Sequence, residues 1–98
     1  MGARLEVERW PTRLDVLKVV KSACRPYSIY IGDQLLSDHY GTRFPPAGAR
    51  RPTNAVIRNR LLGLVSRDLL VCCGHVGGSY GYRWEITAKG AAALEAVP

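Results

Sequence analysis

The stretch Thr53-Asn54-Ala55-Val56-Ile57-Arg58-Asn59-Arg60-Leu61-Leu62-Gly63-Leu64-Val65-Ser66-Arg67-Asp68-Leu69-Leu70 carries the change of hydrophobic period that decides the fold. Up to Asp68 the apolar residues recur at helical spacing, with Ile57, Leu61, Leu64 and Val65 forming one stripe. Thr53 is placed to cap the N-terminus of that helix. Arg58 and Asn59 point away from the stripe, with Asn54 one turn earlier on their side. Gly63, inside the helix, costs up to about 1 kcal/mol against Ala and marks a close contact with another helix. Asp68 tolerates a left-handed backbone and so can end the helix where a glycine is more usual. Beyond it the period falls to that of a strand. Leu69 to Cys73 read as one strand, residues 74–81 as a glycine-rich turn, and Tyr82, Trp84 and Ile86 alternate with Arg83 and Glu85 in a second strand. The result is a hairpin with one apolar face, which places Tyr82 and Trp84 in the core. Thr87 then caps an alanine-rich helix running through Ala96, with Ala91 and Leu94 able to pack inward.

Upstream of the quoted stretch, residues 1–11 read as an N-terminal arm, in which Leu5 and Val7 alternate with Glu6 and Glu8 over too short a span to fix an element. Thr12 and Asp15 have the spacing of a capping box. Leu14, Leu17, Val20 and Cys24 follow at helical spacing, with Arg13, Lys18 and Lys21 on the other side, and Arg25-Pro26 ends that helix. Tyr27 to Ile31, β-branched and aromatic, read as a very short strand or an extended lead-in to the next helix. Residues 32–40 read as a short helix with Ile31, Leu35 and Leu36 on one face and Gly41 as its stop. Residues 41–52 hold three prolines, two glycines and three arginines, and cannot be regular structure.

At 98 residues, 47% hydrophobic and 22% charged, the chain makes one α+β domain spanning 1–98. No apolar run reaches the roughly 20 residues of a membrane span, and the start lacks the hydrophobic region of a signal peptide, so the expected location is the cytoplasm. Cys24, Cys72 and Cys73 do not make a disulfide framework, and Cys72-Cys73-Gly74-His75 lacks the Cys-x-x-Cys spacing of structural zinc sites; buried, inert thiols are expected, with no metal and no cofactor. The motifs of acyl-transfer, phosphate-loop and zinc-protease chemistry are absent, so no catalytic residue is assigned. Asp33 and Asp38, five apart on a helix, face different sides and read as solvated.

Fourteen Lys and Arg against eight Asp and Glu give a formal charge of +6. The placement says more than the total. Between Asp38 and Asp68 there is no acid, and Arg43, Arg50, Arg51, Arg58, Arg60 and Arg67 all fall inside that window. All six are Arg, whose planar fork suits phosphates and guanine edges, which points to an anion-binding surface.

The helix-to-strand stretch 53–70, together with Tyr82-Arg83-Trp84-Glu85-Ile86-Thr87-Ala88-Lys89-Gly90, resembles winged-helix regulators of the MarR and PadR type over most of residues 12–96. The second segment is similar to the second wing strand and the Thr-x-Lys-Gly entry to the helix after it. The resemblance implies a three-helix bundle with a two-stranded wing and a C-terminal helix. It also implies a recognition helix in the major groove of duplex DNA, with Thr53, Asn54, Arg58 and Asn59 near bases or phosphates. Physical chemistry agrees: Arg58 can pair with guanine and Asn54 or Asn59 with adenine. Arg50 and Arg51 suit phosphates beside the positive end of the helix. Arg43 and Arg60 share the basic window, and Tyr80 is the aromatic of the turn left for contact with the nucleic acid.

Residues 74–81 contain no Lys or Arg, so a wing that grips phosphate would rely on His75, Ser79, Tyr80 or backbone groups. Ending at Pro98 without long dimerisation helices, the chain reads as a stand-alone domain. A homodimer would have to use residues 1–10 or the last helix. Two functions stay open: transcriptional regulation through duplex DNA, and a protein-interaction module or small inhibitor that docks on another protein's nucleic-acid site or on an acidic surface, which would accept the same basic window.

Overall fold

The structure, a computed structural model, describes residues 9–23, 27–42, 44–75, 77–78 and 81–96. Four helices and a two-stranded antiparallel hairpin make an α+β fold in the order α1 (Arg13–Ser22), α2 (Ser28–Tyr40), α3 (Asn54–Ser66), β1 (Leu70–His75), β2 (Tyr82–Ile86), α4 (Ala88–Glu95).

The capping box of α1 is complete. Thr12 Oγ1 accepts from the Asp15 N–H at 3.1 Å, and the Asp15 carboxylate accepts from the Thr12 N–H at 2.8 Å. Leu17 and Val20 are buried as the spacing predicts, but so are Val16 and Val19. The reason is position: α1 packs against α2, α3, α4 and β2, so it buries a wider arc than a one-sided stripe. Ala23 is its C-cap, two residues ahead of Arg25-Pro26. Those two residues and Cys24 lie outside the described residues.

Of the short strand or extended lead-in expected over Tyr27–Ile31, only Tyr27 is extended, as the N-cap; residues 28–31 are the first turn of α2. Only a single bridge, Tyr27 to Arg83, has strand character. Helical spacing wins because it buries Ile31, Leu35 and Leu36 together on the core side, and strand propensity is a weak preference that tertiary burial overrides. Ser28 fixes the start. Its hydroxyl donates to the Tyr82 carbonyl at 3.2 Å and accepts from the Tyr82 N–H at 3.2 Å and from Trp84 Nε1 at 2.9 Å. One donor and two lone pairs are thus all used on β2. At the other end Gly41 adopts φ 77°, the left-handed cap expected of it, and its N–H donates to the Ser37 carbonyl.

In α3, Thr53 Oγ1 accepts from the Val56 N–H at 3.2 Å, and Ile57, Leu61 and Leu64 are buried. The helix closes on a Schellman motif with aspartate in the usual glycine place. Asp68 sits at φ 61°, its N–H donates to the Val65 carbonyl, and the Leu69 N–H donates to the Leu64 carbonyl, both at 3.0 Å. Gly63 lies under a side chain rather than a helix backbone: a Cβ there would meet Arg13 Cδ at 3.3 Å.

The hairpin departs from its expected pattern at Cys73. Leu70 pairs with Ile86, Val71 with Glu85 and Cys72 with Trp84, but the next pair is Gly74 with Arg83, so Cys73 is the extra residue of a β-bulge. Only the base of the hairpin reaches the core. Leu70 and Trp84 are buried, whereas Val71 to His75 are exposed. Tyr82, expected in the core, is 42% exposed and packs its ring edge-on against His75 and Trp84. Cys72 and Cys73, expected buried, are both exposed free thiols, Cys73 as the residue of the bulge.

Thr87 caps α4 through the Gly90 N–H at 2.9 Å and ties it to the end of α3 by donating its hydroxyl to the Asp68 carbonyl at 2.6 Å. Leu94 packs against the core cluster, and Gly90 is buried. Among the described residues, no helix is long and apolar enough to cross a membrane.

Candidate functional site

The exposed face of α3 holds Asn54, Ala55, Arg58, Asn59, Leu62 and Ser66, all on the side away from Ile57, Leu61 and Leu64. At 100° per residue these six fall in one arc, so Asn54, Arg58 and Asn59 share a surface as their spacing predicts. Arg60 meets this face only through Asn59, whose Oδ1 accepts from Arg60 Nη1 at 3.0 Å. Two positions beyond Arg58, it points to the other side, where Nε donates to the Pro11 carbonyl at 2.7 Å and Nη2 to the Arg9 carbonyl at 3.3 Å. It anchors the segment leading into α1.

Trp10 completes that anchor, stacking on His39 with ring centroids 4.2 Å apart and meeting Tyr40 edge-on. These contacts turn part of the expected N-terminal arm into packed structure. Arg67 also folds back, donating to the Gly63 carbonyl at 3.0 Å.

The connection between α2 and α3 has no regular structure in its described part, yet it is stitched at several points. Tyr40 donates its hydroxyl to the Arg50 carbonyl at 2.6 Å, Arg51 Nη2 donates to the Pro45 carbonyl at 3.2 Å, and Pro45 is buried. Of the arginines in the acid-free window, Arg50 and Arg58 donate no side-chain hydrogen bond among the described residues, and both are exposed. They flank the N-terminal half of α3, where helix N–H groups without intrahelical partners add positive potential. Thr53 Oγ1 is held in place by the cap, where it accepts from the Val56 N–H. Arg43 and Tyr80, also expected at the site, lie outside the described residues, as does Ser79. His75 at the end of β1 accepts the Gly77 N–H on Nδ1 at 3.1 Å, so its ring is held by the turn.

Beside this polar end runs an apolar cleft of about 710 Å³ between α2, α3 and the hairpin. Its floor is formed by core residues including Leu36, Ile57, Leu61 and Trp84, and Ile29, Leu62 and Tyr82 stand on it as exposed side chains. Arg51, Asn54 and Arg58 line the same cleft. Reasoning from the sequence missed this feature, although one signal was there: Leu62 lies one turn after Arg58, on the polar side of the helix, outside the apolar stripe.

Comparison with protein-family models finds no matching family, and comparison with curated proteins finds no match.

Proposed function

We propose that the protein is a small winged-helix domain that binds duplex DNA and regulates transcription, with α3 as the helix that enters the major groove and the hairpin as its wing. The carrying observation is the exposed face of α3, where Asn54, Arg58 and Asn59 stand together behind the open guanidinium of Arg50. The order of three helices, a two-stranded hairpin and a further helix supports the reading.

A helix about 10–12 Å wide fits a groove about 12 Å wide. Asn54 and Arg58 are one turn apart, roughly 6 Å along the axis, which corresponds to about two base-pair steps. Arg58 would donate both arms of its fork to a guanine edge, and Asn54 would pair with adenine, donating to N7 and accepting from N6–H; Asn59 could do so only by releasing the hydrogen bond its Oδ1 accepts from Arg60 Nη1 at 3.0 Å. Arg50, ahead of the cap, would hold a phosphate, which gives affinity and register without sequence preference. Arg51, already bonded to Pro45 through one nitrogen, has donors left for a second phosphate.

Titration of the full chain with random and selected duplexes at several salt concentrations tests the reading. Arg50→Ala should weaken all duplexes alike and reduce the slope of log affinity against log salt by about 0.9, the value for a single phosphate no longer neutralised. Arg58→Ala should cost about 1–3 kcal/mol on the preferred site and relax preference at one base pair. Failure of the wild-type chain to bind any duplex at low salt would end the DNA reading.

A further inference from the structure

Among the described residues, five large apolar side chains stand exposed: Ile29, Phe44, Leu62, Val71 and Tyr82. Three of these, Ile29, Leu62 and Tyr82, line the cleft between α2, α3 and the hairpin. Scattered apolar residues on a surface need no explanation, but a group of them around a hollow with an apolar floor is the mark of a contact surface. The rim also carries more positive than negative charge. Arg51 and Arg58 line it, against one carboxylate, Asp33, which is already engaged in an interaction of its own.

We propose that this cleft is a docking site for a short, acidic, amphipathic peptide segment of a partner protein. Apolar side chains of the segment would cover Ile29, Leu62 and Tyr82, and its carboxylates would pair with Arg58 and with the remaining donors of Arg51. Three observations favour this occupant. First, Ile29 is 46%, Leu62 50% and Tyr82 42% exposed, so the apolar surface stands up around the hollow; a molecule small enough to sit inside would leave much of it wet, whereas a polypeptide covers hollow and rim together. Second, a phosphodiester backbone would have to lie on leucine and isoleucine, at a desolvation cost that a peptide alternating apolar and acidic side chains avoids. Third, among the described residues that line the cleft Tyr82 is the one exposed aromatic, since Trp84 is only 4% exposed, so a run of bases finds no platform there. The inference goes beyond the DNA reading and does not require it. Because Asn54 and Arg58 belong to both surfaces, a docked segment and a duplex would exclude one another.

The test is to pan a random peptide library, about 12 residues long, against the immobilised full chain and in parallel against Leu62→Glu. Leu62 is half exposed, so the variant should fold; if its melting curve shows otherwise, Ile29→Ser on the neighbouring helix replaces it. Enriched sequences should combine Leu, Phe or Trp with Asp or Glu. Synthetic versions should shift the amide signals of Gly32 and Gly81 and the indole signal of Trp84 in a labelled sample containing no DNA. Leu62→Glu and the double change Arg51→Ala/Arg58→Ala should each weaken binding by about tenfold or more. The proposal is overturned if enrichment is equal on the Leu62→Glu chain, if the enriched peptides are basic or uncharged, or if their signals move elsewhere. It is overturned equally if a duplex, and no peptide, shifts the cleft signals, which would assign the apolar rim to the nucleic-acid surface. Loss of duplex binding with peptide binding intact would sink the DNA reading alone.

Discussion

Replacing Gly90 by Ala separates helix propensity from tertiary packing by sign. Gly90 lies in the first turn of α4, and in an isolated helix Gly→Ala stabilises by up to about 1 kcal/mol. Here a Cβ would fall deep inside contact with the Leu69 carbonyl oxygen, 2.8 Å from Ile86 Cγ1 and 3.1 Å from the Leu69 carbonyl carbon. The oxygen cannot swing aside, because it accepts the Thr87 N–H at 3.1 Å while the Leu69 N–H is bound to Leu64 at 3.0 Å. The whole start of α4 must move instead, and with it the Thr87 bonds to the end of α3. Overpacking of this kind costs about 1–3 kcal/mol, and a backbone obstacle puts this case at the upper end. After the propensity gain, a net loss of about 2 kcal/mol remains. For a domain of this size that lowers the midpoint of thermal unfolding by roughly 8–16 °C. Urea unfolding should show a lower midpoint with an unchanged slope. Gly63→Ala is the internal control. Its Cβ would meet only the flexible side chains of Arg13, at 3.3 Å, and Arg67, at 3.7 Å, so it should stabilise by up to about 1 kcal/mol. A Gly90→Ala protein as stable as the wild type would refute the placement of α4 against Leu69.

Other substitutions probe separate parts of the fold. Ser28→Ala removes the acceptor of the buried Trp84 indole N–H and should cost about 1–3 kcal/mol by urea denaturation, whereas an unchanged midpoint would mean that this hydroxyl does not join α2 to β2. Asp68→Gly relieves a left-handed backbone at φ 61° and is expected to stabilise by up to about 1 kcal/mol; a loss of stability would argue against the Schellman closure of α3. Arg60→Ala removes the hydrogen bonds to the Arg9 and Pro11 carbonyls and frees Asn59 Oδ1, so it should lower stability by about 1–2 kcal/mol without weakening duplex binding. Arg58→Ala should do the reverse, with stability within about 0.5 kcal/mol of wild type and duplex affinity reduced. If both arginines behaved alike in the two assays, the division of α3 into an anchoring side and a binding side would be wrong.

Sequence alone determined the features whose causes lie within a few residues of one another. The three threonine caps at Thr12, Thr53 and Thr87, the Gly41 stop, the left-handed Asp68 and the apolar stripe of α3 all depend on hydrogen bonds or side-chain spacing inside about one turn, and so they can be read directly from the chain. The change of period at Asp68 belongs with them, and it was enough to predict helix followed by hairpin. Tertiary structure decided what depends on partners far away in the chain. Tyr27–Ile31 had the composition of a strand, but its state was settled by Ser28 bonding to Tyr82 and Trp84, 54 and 56 residues on, and by burial of Ile31 in a core that no local pattern describes. Arg60 could not be told from Arg58 by type; only the position of Pro11, 49 residues earlier, turned one guanidinium into an anchor and left the other open. Alternation assigned Tyr82 and the two cysteines of β1 to the interior because it supplies a face and not a length. The bulge at Cys73, and the burial of the hairpin at Leu70 and Trp84 but not at Tyr82, are set by how the elements pack, and they leave Tyr82 exposed on the rim of the cleft.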